Sequence, residues 1–141
     1  MIDLNLAEAQ LFRMLVEFFG RDHVVPQMRV MAVCGGELPA SLESKGSSLE
    51  AWARSNSCLF TIVDKEDTPR LVVEFAAGFE DSIDVVEVEH RRFLRPILDA
   101  AGIHYVTISP LEFSEMTDPS GQLDLVSLLK AKFGYEGPDI S

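Results

Sequence analysis

A chain of 141 residues, 47% of them hydrophobic, holds enough apolar material for one packed core and is most simply a single domain over residues 1–141. Its apolar runs, such as Leu71 to Val73, fall far short of the roughly 18 consecutive apolar residues of a membrane-spanning helix. The formal net charge of −11 repels phosphate polyanions, which disfavours general nucleic-acid binding and leaves His90-Arg91-Arg92 with Arg95 as the sole local concentration of positive charge.

Asn5 is a natural N-cap, and Glu8 three residues on completes a capping-box pattern ahead of Leu11, Phe12, Leu15, Phe18 and Phe19 at helical spacing. This predicts a helix from about Leu6 to Phe19, stopped by Gly20. Val24 to Val33 reads as one strand, with Met28, Val30 and Ala32 alternating against Gln27, Arg29 and Met31, and with Pro26 near its start, where a missing N–H donor costs least. Gly35 to Ser48 carries no period and reads as a loop, followed by a short helix at Ser48 to Arg54 in which Trp52 either lies on a groove or, the favoured role, packs on the core.

Two β-rich runs follow, Ser57 to Val63 and Arg70 to Phe75, joined by the polar turn Asp64-Lys65-Glu66-Asp67-Thr68-Pro69. Acidic residues from Glu80 to Glu89 read as a solvated loop and helix start, with Ser82 or Asp84 as the cap. The apolar face of that helix is Val86, Phe93, Leu94, Ile97, Leu98 and Ala101, with Gly102 as its stop, and Pro96 should bend or divide it. Ile103 to Ile108 is a further strand, ending before Pro110. Asp118-Pro119 then cap a last helix marked by Leu123, Val126, Leu129 and Phe133 and ended by Gly134. This order predicts an α/β fold, a mixed central β-sheet flanked by helices.

The strand pair Cys58-Leu59-Phe60-Thr61-Ile62-Val63 and Leu71-Val72-Val73-Glu74-Phe75-Ala76 carries the most information about function. Together with Leu6 to Phe12, Val24 to Val30 and Phe93 to Ile103, it resembles the PD-(D/E)XK nuclease-like superfamily, and in particular small bacterial domains similar to very-short-patch-repair endonucleases. The resemblance covers about residues 5–110 and implies a restriction-endonuclease-like three-layer sandwich. It also implies a metal site built from a first-helix glutamate, an Asp-Phe pair on one strand and a Glu-x-Lys or Glu-x-Asp on the next. Such chemistry needs at least two converging carboxylates around a hard cation that activates water.

Carried across residue by residue, the aspartate falls on Leu59, the glutamate on Glu74, the lysine or second acid on Ala76, and the first-helix glutamate on Glu8. Glu8 is equally explained by the capping box, and Asp64, a candidate substitute acid, by turn initiation. Glu74 has three readings: a remnant of the metal site, a partner for an arginine, or an exposed side chain. His90 fits a hydrogen-bonded boundary residue or a base, and Arg91, Arg92 and Arg95 fit phosphate contacts or a balance for nearby acids.

The sequence therefore predicts a degenerate, non-catalytic nuclease-like domain serving as an interaction or accessory module, with no cofactor. The alternatives are a Mg²⁺- or Mn²⁺-dependent nuclease with a migrated site at Glu8, Asp64 and Glu74, and a non-cleaving nucleic-acid binder using Arg91, Arg92 and Arg95. The expected partner is a basic protein or nucleoprotein, with homodimerisation open and no membrane association. Met1-Ile2-Asp3-Leu4-Asn5 lacks the features of a signal peptide, and Cys34 and Cys58 read as reduced core thiols, so the expected location is cytoplasmic.

Overall fold

The computed structural model describes residues 4–37, 47–75, 85–118 and 124–133. The first helix, α1, runs Leu6–Phe19 behind Asn5, whose side chain accepts from Glu8 N at 2.8 Å while Glu8 Oε1 accepts from Asn5 N at 2.9 Å. Gly20 ends it at a φ of 97°, a conformation that favours glycine. A short 3₁₀ turn, Arg21–His23, leads into the first strand.

That strand, β1, covers only Val24–Arg29, and the residues expected to extend it, Val30–Val33, form the single helical turn α2. The reason is the lack of a partner. Arg29 pairs with Ser57, the first residue of the neighbouring strand, and Val30 N then donates to the Asn56 carbonyl at 3.0 Å. Beyond that point no ladder is left to receive an extended chain, and the continuous apolar run suits a buried helical turn as well as a strand. Val30, Met31 and Val33 are buried by it.

Helix α3 (Ser47–Ser55), strands β2 (Ser57–Val63) and β3 (Pro69–Phe75), and helix α4 (Val85–Ala101) follow as the sequence patterns predict, within a residue or two where their ends are described. The expected caps Ser82 and Asp84 lie outside the described residues, as do the side chains of Val86, Glu87, Glu89, His90 and Arg91. Pro96 does not divide α4. The carbonyl deprived of a donor belongs to Arg92, and both residues are exposed, so solvent can satisfy it.

Strand β4 spans His104–Ile108, and a helix that the sequence reading left out, α5 (Pro110–Thr117), comes directly after it. Its signal is present as Ser109-Pro110-Leu111-Glu112: Ser109 Oγ accepts from Glu112 N at 3.2 Å, Glu112 Oε1 accepts from Ser109 N at 2.9 Å, and proline takes the first helical position. Asp118 ends α5 rather than opening the last helix. That helix, α6 (Leu125–Phe133), is capped instead by Asp124, whose carboxylate accepts from Ser127 N at 2.7 Å. Pro119, Leu123 and Gly134 lie outside the described residues.

The four strands form one mixed sheet in the order β1-β2-β3-β4, antiparallel except for the parallel pair β3 and β4. The expected mixed α/β architecture is therefore present. Because successive strand residues point to opposite faces, Leu71 and Val73 bury against α1, α5 and α6, whereas Val72 buries against α2, α3 and α4. The first face is rich in rings, with Phe12 stacked on Phe60 at 5.6 Å and Phe75 edge-on to Phe113 at 5.2 Å. On the second face Trp52, half-buried, packs beside Phe93 at 5.4 Å, the core role expected of it.

One departure from regular alternation positions everything that follows. Phe60 and Cys58 are two residues apart on β2 and should share a face, yet they bury in opposite clusters. Val24 and Met28 on β1 divide in the same way. The switch occurs at Gln27 and Leu59, between the ladder pairs Pro26 with Phe60 and Met28 with Cys58, and Gln27 adopts a φ of 54° there. β1 is an edge strand of this sheet, which also accommodates Pro26.

Candidate functional site

β2 and β3 part company after the pair Phe60 with Val73, while β3 stays in register with β4 through Glu74 with Thr107 and Phe75 with Ile108. A sheet that opens leaves backbone donors needing acceptors, and a buried donor without one costs about 1–3 kcal/mol. The Leu59 N–H lies at this opening. Glu74, whose backbone has left the β2 ladder, supplies the acceptor from its side chain: Oε2 takes the Leu59 N–H at 3.0 Å. Its other oxygen, Oε1, accepts from the Tyr105 hydroxyl at 2.7 Å. The carboxylate is thus held from both sides and is only 6% exposed.

Tyr105 is held in turn. The Arg95 guanidinium lies over its ring, 4.8 Å from the centroid, so this cation on α4 is linked to Glu74 through the aromatic face and hydroxyl of Tyr105. The Cys58 thiol, fully buried, is pushed far above its usual range by burial first and then by the negative charge of Glu74. Burial also raises Cys34. Burial thus favours the neutral thiol at both positions, in keeping with their packing among apolar side chains. An open depression of about 430 Å³ lies over the opening, lined by Gln27, Arg29, Ser57, Cys58, Leu59 and Glu74.

Compared with protein-family models, curated proteins and solved structures, the chain matches none.

The other two acids proposed for a migrated site lie elsewhere. Glu8 is engaged in the α1 capping box, on the helix that packs against the opposite face of the sheet from Glu74. Asp64 organises the far end of the hairpin. Its Oδ1 accepts from Glu66 N at 2.8 Å and Thr68 N at 3.0 Å, and its Oδ2 accepts from Arg70 Nε at 2.9 Å. Those turn N–H groups, Thr68 foremost, with the Arg70 guanidinium, hold its carboxyl below the usual range. Asp64 is 6% exposed because its own turn wraps it, at the periphery of the molecule. Arg70, which Asp64 binds, stands four residues from Glu74 along β3, a span on the order of 13 Å at strand rise.

The structure therefore does not bring Glu8, Asp64 and Glu74 together. Among the described residues no group of three or more His, Cys, Asp or Glu side chains converges as a set of metal ligands. Of the arginines proposed for nucleic-acid contact, Arg92 is exposed, Arg95 is exposed over Tyr105, and the Arg91 side chain lies outside the described residues. Sequence reasoning assigned Tyr105 no role. Its place on the face shared with Val72 depends on the parallel register of β3 and β4, which nothing local in the chain encodes.

Proposed function

We propose that this chain is a non-catalytic domain of nuclease-like architecture that works as an interaction or accessory module. The observation that carries the reading is the engagement of Glu74. At the two cross-strand positions where the PD-(D/E)XK pattern sets an aspartate against a glutamate to share a cation, this chain sets Leu59, whose backbone N–H binds Glu74 directly. The carboxylate is then a structural acceptor that ties β2 to β3 and, through Tyr105, to β4. A phosphodiesterase of this type needs a second carboxylate at that point to hold the metal and activate water. The mixed sheet with helices buried on both faces is compatible with a restriction-endonuclease-like three-layer sandwich, the finer architecture we propose.

The net charge of −11 favours a basic protein as the partner over free nucleic acid. The test is direct. Plasmid DNA and structured RNA incubated with the purified chain in millimolar Mg²⁺ or Mn²⁺ should remain intact, and a Mn²⁺ titration should give no calorimetric signal that depends on Glu74. Cleavage abolished by Glu74→Gln, in a variant that keeps its native circular dichroism, would overturn the proposal. For the partner class, a lysine-rich peptide should bind with an affinity that falls as salt rises, while duplex DNA should not bind under the same conditions. The reverse preference would point to a nucleic-acid binder instead.

A further inference from the structure

We draw no further inference here: the strongest candidate, the open depression above the β1/β2 face switch lined by Gln27, Arg29, Ser57 and Glu74, belongs to the site already described, its one buried carboxylate being engaged by Leu59 and Tyr105.

Discussion

The hairpin of β2 and β3 holds two buried acids, Asp64 and Glu74, each 6% exposed and each accepting from backbone N–H, yet the two are built on different scales. Asp64 binds the N–H groups two and four residues ahead of it and the guanidinium six residues ahead, so its whole environment is a single turn. Glu74 binds an N–H fifteen residues back and a hydroxyl thirty-one residues ahead, so its environment exists only once three strands have met. A buried carboxylate in a strand is therefore not in itself the mark of a catalytic site. It can be the acceptor that a sheet needs where two strands separate.

The sharpest way to break this comparison is to remove the acceptor at the open end. Glu74→Ala removes the acceptor of the Leu59 N–H and of the Tyr105 hydroxyl, and at about 1–3 kcal/mol for each bond lost the fold should lose about 2–6 kcal/mol in urea unfolding. Trp52, the single tryptophan, reports the transition. An unchanged midpoint would show that Glu74 is not structural. Tyr105→Phe removes one of those bonds and keeps the ring beneath Arg95, for an expected loss of about 1 kcal/mol. In a double-mutant cycle the two changes should couple by about 1 kcal/mol, whereas strict additivity would mean that the 2.7 Å contact carries no energy.

Between the two ends lies Thr61, fully buried on the face of Cys58, with its Oγ1 lacking a hydrogen-bond partner among the described residues. The Cys58 thiol is influenced by that hydroxyl but does not meet it in hydrogen-bond geometry. Thr61→Val keeps the shape and removes the unpaired group, and should stabilise the fold by about 1 kcal/mol. A loss in thermal or urea unfolding would show that the hydroxyl is satisfied in solution.

The smallest effect is expected at the turn. Asp64→Asn keeps an oxygen acceptor for the Glu66 and Thr68 N–H groups and gives up only the pairing with the half-exposed Arg70. The folded-state pKa of Asp64 lies below its unfolded value, so its contribution is present above about pH 4 and is lost as pH falls through the lower, folded value. The stability difference between wild type and Asp64→Asn should accordingly be constant near neutrality and shrink in acid. A difference that grows below pH 4 would contradict the assignment of its hydrogen bonds.

The parts of the fold that were legible in the sequence are those whose stabilising contacts span few residues. The α1 capping box of Asn5 and Glu8, the Gly20 and Gly102 stops, the hairpin with Asp64 at its turn, and the apolar face of α4 at Leu94, Ile97 and Leu98 all appear where the pattern places them. The start of α5 is equally legible in Ser109-Pro110-x-Glu112, although Pro110 by itself also suits the end of a strand. The start of the last helix is ambiguous for a related reason: Asp118 and Asp124 both suit a cap, and local chemistry alone does not choose between them.

What the sequence determined by itself, then, was the elements marked by their own caps, turns and periodicity, and the order of those elements, because such signals act over about four residues. The tertiary structure decided where β1 gives way to α2, at which residue β1 and β2 exchange faces, and what Glu74 does. Each of these turns on a partner brought in from far along the chain: Asn56 for Val30, Leu59 opposite Gln27, and Tyr105 for Glu74. A free strand end or an unpaired N–H has no energetic meaning until its neighbour is in place, and that neighbour is chosen by the packing of the whole sheet.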